Sequence, residues 1–484
     1  MKTKAGFFAG LFFLLVSFTN CMHVKGVESG LKMEDIGSTL QLFVDDRLID
    51  HTSNLGFILH TPERREVVYV FDKPWEGLQT GYITMLEDQG VYRMYYRGGG
   101  DETREYTSLA ESRDGISWTR PELGLVEVEG SNKNNVIWTG KEKGYCESHN
   151  FSPFVDKNPA ALPEQRYKAV ALGRHTDEKG EKRLALVAMA SPDGIHWRRM
   201  REEAIITEGA FDSHNTAFWD VEEKRYVCYI RVGREGWRSI ARCTSEDFLT
   251  WTRPEQLDFG YTPLEHLYTN GIVQYFREPR FYFGFPMRFV PGRKTIGFVP
   301  REIDGTSDAV FMSSRDGAHW NRRFMEAFVR PGLNPNNWGN AHGNLTPAWG
   351  ILKTAENEMS LYWVENGVEM PRLRRGALRP DGFVSLNASY SGGECVTRPL
   401  IFKGSRLILN CSTSAIGSIR LEMQNPEEAP IPGFEENSCD EIYGDEISRT
   451  VSWNKSPDVS ALSDKPVRLR FILKDADLYS FQFK

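Results

Sequence analysis

The chain has 484 residues, 26% of them charged and 40% hydrophobic, with a formal net charge of −7. That length exceeds one ordinary core and predicts two domains. The acidic balance leaves no basic footprint, which argues against nucleic acid as a partner. Aromatics reach 12%, with 12 Trp, which suits either an all-β protein whose aromatic faces pack on sugar C–H surfaces or one whose rings simply fill its cores.

The first residues read as an export signal over 1–21. Lys2 and Lys4 precede an apolar run from Phe7 to Phe18, too short to span a bilayer comfortably as a permanent helix. Cys21 stands where a bacterial lipoprotein carries its acylated cysteine, so the expectations are a periplasmic or outer-membrane lipoprotein, or plain export. A membrane is met only through that anchor. Residues 22–40 read as a polar linker. Leu40 to Ile49 then reads strand, turn at Asp45-Asp46, strand, and is expected to supply the outer strand that closes a ring of blades.

Two repeats organise the rest of the chain. The first is Ser112-Arg113-Asp114-Gly115-Ile116-Ser117-Trp118, recurring around Asp193, Asp247 and Asp316, with a degenerate fifth copy at Asp381-Gly382. The Asp positions are 79, 54, 69 and 65 residues apart. Asp bonds nearby amides, Gly takes a positive φ and Trp packs under the turn, which is hairpin chemistry. These resemble the Asp-box turns of sialidases and other propeller glycosidases, and no chemistry is assigned to them. Five units of about four strands predict a five-bladed β-propeller over 41–392. Residues 393–484 carry strands without these turns and predict an antiparallel β-sandwich.

The second repeat carries the chemistry. Glu147-Ser148-His149-Asn150 returns as Asp212-Ser213-His214-Asn215, and more loosely at Glu265-His266 to Asn270 and His342-Gly343-Asn344. Each copy precedes a strand expected to line the central channel, so the acids should converge on one mouth. With Glu76, from Asp72-Lys73-Pro74-Trp75-Glu76-Gly77, the candidate catalytic set is Glu76, Glu147, Asp212 and Glu265. Crowded carboxylates cannot all ionise cheaply, and the resulting split supplies an acid and a base or nucleophile for glycosidic cleavage. Trp75, His149, His214, His266, Arg288 and His342 are the candidate saccharide contacts. The recurring Asn150, Asn215, Asn270 and Asn344 are expected to tie blades through backbone bonds, and Asp156 and Asp220 to end strands in turns.

Six cysteines follow Cys21 without zinc spacing. They read as buried thiols, or as a Cys228/Cys243 disulfide if those two lie on adjacent strands. The acidic loop from Cys439 to Glu446 is either solvated or a structural calcium site. No catalytic metal and no redox cofactor are expected.

The blade pattern, rim acids and appended sandwich resemble glycoside hydrolase families 32 and 43, and more closely the uncharacterised exported proteins akin to them. The likeness rests on Leu42-Phe43-Val44-Asp45-Asp46, Lys73-Pro74-Trp75-Glu76-Gly77, Asp212-Ser213-His214-Asn215, Leu267-Tyr268-Thr269-Asn270, Gly284-Phe285-Pro286, Gly444-Asp445-Glu446 and Lys474-Asp475-Ala476-Asp477-Leu478-Tyr479. It implies a base or nucleophile at Glu76, a pKa-tuning carboxylate at Glu147 and an acid at Asp212, or an acid at Glu265 with Asp212 as partner. The Asn-Asp-Pro-Asn-Gly, Arg-Asp-Pro and Glu-Cys signatures of family 32 are missing, so fructan specificity is not implied. The expected function is a glycoside hydrolase acting on a polysaccharide or oligosaccharide. The alternatives are a non-catalytic carbohydrate-binding propeller and, third, a polysaccharide lyase using Tyr268 and Arg288.

Overall fold

A computed structural model describes residues 33–484 apart from 79, 100–104, 141–145, 295–303, 339–344 and 368. The expected export signal, Cys21 and His342 lie outside the described residues. Among those described, the regular structure is strands and short 3-10 turns, and no helix is long and apolar enough to cross a membrane.

Five antiparallel blades form the propeller. Blade I runs from its inner strand Gly81–Asp88 through Val91–Gly98 and Tyr106–Ser112 to Trp118–Thr119, with Val136–Trp138 added beside it. Blade II is built from Ser152–Val155, Tyr167–Thr176, Lys182–Ser191 and Arg198–Arg199. Blade III is built from Thr216–Asp220, Arg225–Arg234, Trp237–Ser245 and Glu255–Gln256. Blade IV is broken into two part-sheets where Gly271 (φ 56°) and Pro286 interrupt its strands. A Cβ at Gly271 would stand 2.8 Å from the Phe285 carbonyl oxygen, so the kink demands glycine.

Blade V closes the ring twice. Its outermost strand is Glu63–Val70, paired with Arg372–Leu378. On its inner side, the Trp349 amide donates to the Ile83 carbonyl at 2.8 Å and the Met85 amide to the Trp349 carbonyl at 2.7 Å. The backbones meet so closely that a Cβ on Gly350 would lie 2.1 Å from the Met85 carbonyl oxygen.

The Asp-box turns form as read. Asp114 accepts from the Ile116 and Ser117 amides at 2.8 and 2.7 Å, and Trp118 Nε1 donates to the Gly115 carbonyl at 3.1 Å. Tyrosines of neighbouring blades staple three of these turns, Tyr362 to Gly115, Tyr95 to Gly194 and Tyr229 to Gly317. The fifth copy is different. Asp381 is fully buried and accepts from Tyr275, Asn410 and Ser480. There the chain leaves blade V for the second domain, and Glu63–Val70 takes the place of the strand that would have come next.

That second domain gathers both ends of the described chain. Glu34–Gly37, Gln41–Leu42, Ile49–Ser53 and Leu55–Leu59 pair with C-terminal strands. The expectation that 41–59 belongs to the propeller, with Leu40–Ile49 closing its ring, is therefore corrected. Short alternating strands carry no mark of which distant edge they will join. Two 18-residue strands, Leu407–Gln424 and Pro466–Phe483, pair with each other and shift register between Thr413 and Ser418. The halves face one another across a single core. Phe471 and Phe481, from opposite halves, lie 5.7 Å apart, and Phe43 packs on both.

Candidate functional site

The inner strands begin at one mouth of the channel. Tyr82 opens blade I there with a positive φ of 48°, a backbone state that costs an aromatic residue about 1–3 kcal/mol and clusters at functional sites. Its hydroxyl lies 3.4 Å from Asp212 Oδ1 and 3.3 Å from the Tyr268 hydroxyl. His149 Nε2 is 2.9 Å from the same Asp212 oxygen, and His149 Nδ1 is 2.7 Å from Glu105 Oε1. A continuous Glu105–His149–Asp212 chain thus joins blades I, II and III.

Arg97 covers this chain. Its Nη1 lies 3.2 and 3.3 Å from the two His149 ring nitrogens, which puts it over the ring face, and its guanidinium carbon is 4.6 Å from the Tyr82 ring centroid. Asp212 is the exposed member, with 39% of its side chain accessible against 1% for Glu105. Burial raises the Asp212 pKa. The His149 hydrogen bond and the charges of His149, Arg231 and Arg97 outweigh that and hold it at about 2. His214 is pushed the other way from usefulness as an acid, down to about 3, by burial and by Arg97. Burial, Tyr268 and Asp212 drive the Tyr82 hydroxyl well above its ordinary value. At neutral pH the mouth therefore holds an ionised carboxylate, a neutral imidazole at His214 and a protonated phenol at Tyr82.

The other expected acids are already neutralised. Glu76 is fully buried and accepts from the Lys73 amide (2.9 Å), Tyr96 (2.7 Å) and Arg120 Nε and Nη2 (2.9 and 3.0 Å). Glu147 is fully buried against Arg199, 2.5 Å away. Glu265 is held between Arg288, at 2.8 Å, and Arg322. Four carboxylates converging on one opening is not what the fold builds. Among the described residues, Asp212 alone of the set stands at the mouth without an arginine bonded to it.

The expected saccharide contacts divide similarly. Trp75 spends its indole N–H on Asn135 at 2.8 Å. Arg288 is bound by Glu265 and Asp308. His266 accepts the Arg238 amide at 3.1 Å and packs, tilted by 41°, against Trp237 with ring centroids 4.6 Å apart. His149 and His214 do meet at the mouth, each packed against Tyr82. Asn150 and Asn270 bond backbone of the adjacent blade and Asn215 that of its own entry loop, while Asn344 lies outside the described residues. Asp156 and Asp220 do begin turns, and each also accepts from a buried tyrosine.

Glu105 and Tyr82 escaped the sequence reading. Glu105 comes after the Gly98-Gly99-Gly100 stretch among other charges and looks solvated, and Tyr82 looks like an ordinary strand residue. No local signal marks either.

The register sets Cys228 opposite Cys243, yet both are buried free thiols. Acids of the loop expected to suit calcium are spent elsewhere, Asp440 on Ser452, Glu441 on Arg420, Asp445 on Arg379 and Glu446 on Arg449. Among the described residues, Asp50, His51 and Glu428 are close enough to share an ion, but all are exposed and Asp50 pairs with Arg468 at 2.8 Å.

No family model and no curated protein matches the chain. Solved structures do resemble it. An N-acetylgalactosamine deacetylase from F. plautii in complex with blood group B trisaccharide is 13% identical, covering 67% of this chain and 95% of its own, with a TM-score of 0.46. A β-1,2-mannobiose phosphorylase from Listeria innocua is 12% identical over 66% of this chain and 96% of its own, TM-score 0.42. A thermostable family-43 glycoside hydrolase is 12% identical over 65% and 95%, TM-score 0.40.

Proposed function

We propose that the protein is a glycoside hydrolase whose working carboxylate is Asp212. The observation that carries this reading is an accessible aspartate, held at about 2, among protonatable groups at the mouth of a propeller. An ionised carboxylate there serves as nucleophile toward an anomeric carbon, or as base toward water, and stabilises the oxocarbenium-like transition state. Asp212 cannot be the acid, since it holds no proton at working pH. The proton for the leaving oxygen is assigned to the His149–Tyr82–Tyr268 cluster around it. Carbohydrate is the substrate and export its setting, in line with the signal read over 1–21 and with lipid attachment at Cys21 as the membrane link.

Asp212→Asn tests this. Turnover of a responsive glycan should fall by orders of magnitude while the fold and its unfolding midpoint hold. Undiminished turnover in that variant removes Asp212 from the chemistry. One observation favours a second reading, a saccharide-binding propeller without catalysis: Glu76, Glu147 and Glu265 each hold an arginine and leave Asp212 without a second free carboxyl. Calorimetric binding without release of reducing ends, across a broad glycan panel, would establish that reading instead.

A further inference from the structure

We infer that the mouth recognises an anionic saccharide, one bearing a carboxylate or sulfate group, through Arg231 and Arg238. The inference rests on the reading of this mouth as a saccharide site and names the class of sugar it takes. Arg97, Arg120, Arg199, Arg288 and Arg322 each pair with a carboxylate. Arg231 and Arg238 do not. Arg231 donates Nε to the Ala210 carbonyl at 3.0 Å. Beyond that, no carboxylate meets either guanidinium among the described residues.

The two lie on the hairpin formed by Arg225–Arg234 and Trp237–Ser245, in a register that sets Arg231 opposite Ile240 and Gly233 opposite Arg238. Opposed residues share a face, as do residues two apart along a strand. Arg231 and Arg238 are therefore diagonal neighbours on one face, a relation that sets their origins about 7–8 Å apart. Gly233 leaves the space between them unfilled by a side chain. Both cover the Tyr268 ring, with guanidinium carbons 4.9 and 5.6 Å from its centroid. Arg238 also lies 5.2 Å from the Phe289 centroid.

Two half-buried cations on one ring repel each other, and an oxyanion bridging them relieves that repulsion through charge-assisted hydrogen bonds. Arg231 stands near enough to help lower the Asp212 pKa, so the bridged group belongs to the sugar in the site or to its neighbour. The local balance admits an anion: Arg231 and Arg238 bring two positive charges to the Tyr268 ring, of which Arg231 acts on Asp212, while Glu105 is engaged by His149 and Arg97.

Calorimetry with matched probes tests the inference. One pair is a galacturonic acid tetrasaccharide and its carboxyl-reduced form. The other is a sulfated galactan tetrasaccharide and its desulfated form. At least one charged member should bind tenfold or more tightly than its neutral counterpart. Arg231→Gln/Arg238→Gln should remove that preference, and Arg238→Lys should keep more of it than Arg238→Gln does. A carboxylate-only or sulfate-only preference names the group. No charged preference in either pair, whether both members bind or neither does, overturns the inference. So does a preference that survives the double variant. Charged binding without bond cleavage would sink the hydrolase reading and leave this subsite standing. Cleavage of a neutral glycan indifferent to both arginines would do the reverse.

Discussion

Replacing Glu76 by Gln separates a structural carboxylate from a chemical one. The side chain is fully buried, and both its oxygens are engaged, by Arg120 (2.9 and 3.0 Å), Tyr96 (2.7 Å) and the Lys73 amide (2.9 Å). The amide keeps one acceptor oxygen but turns an NH₂ toward Arg120 whichever way it lies, and in one of the two orientations toward the Lys73 amide as well, groups that can only donate. It also leaves the three-quarters-buried Arg120 with only the half-exposed Asp72, 3.2 Å away, as counter-charge. Breaking a buried pair from one side costs about 3–5 kcal/mol. At ordinary denaturant sensitivity, that lowers the urea midpoint by on the order of 1 M or more. Asp212→Asn, at an accessible carboxylate, should stay within about 1 kcal/mol of the parent. Urea unfolding tracked by tryptophan fluorescence reads both. The double variant Glu76→Gln/Arg120→Gln should lose less than the two single losses added together, because neither partner is then left charged alone. A Glu76→Gln protein with an unchanged midpoint and abolished turnover would refute the reasoning and return Glu76 to the chemistry.

The same geometry sets other outcomes. The acid limb of kcat/KM due to Asp212 should lie below pH 3 in the parent, and His149→Asn should move it up toward 3.8; identical limbs in the two pH profiles would show that His149 does not hold Asp212 down. The depressed Asp212 pKa also stabilises the fold above 3.8, and that contribution is lost as pH falls through about 2. His214, buried and neutral, has a folded pKa of about 3 against 6.5 unfolded, so stability should decline as pH drops from 6.5 toward 3. Unfolding midpoints at pH 7 and 4.5 should show a smaller decline in His214→Gln. Finally, burial raises the Cys228 and Cys243 thiols, Cys243 to about 12, so an exposed-thiol reagent should leave both unlabelled in the native protein and label both in denaturant.

The propeller was legible because its turns are local. Asp114, Gly115 and Trp118 complete their hydrogen bonds within four residues of one another, so every copy declares a hairpin wherever it sits in the chain. The assignment of Leu40–Ile49 was not legible, since its partner strand ends at Phe483, more than four hundred residues on. The same division runs through the site. The entry motif places His149, Asp212 and His214 at the channel mouth because position along an inner strand is a local property. Whether a carboxylate there stays available depends on arginines that arrive from elsewhere. Arg120 is 44 residues from Glu76, Arg199 is 52 from Glu147 and Arg322 is 57 from Glu265.

Each of those three arginines lies in or just after the outermost strand of a blade, directly behind an Asp-box turn: Arg120 after Trp118, Arg199 after Trp197 and Arg322 after Trp320. The repeat that looked purely structural thus delivers a cation beside the acid of the site-forming repeat. Blade III breaks the rule. After Trp251 come Thr252 and Arg253, and Arg253 is exposed and pairs with Glu208, so Asp212 receives no such cation. The repeat thus sets an arginine two residues behind its Trp in all four blades, and it is the outward placement of Arg253 that leaves Asp212, the partner of His149, unneutralised.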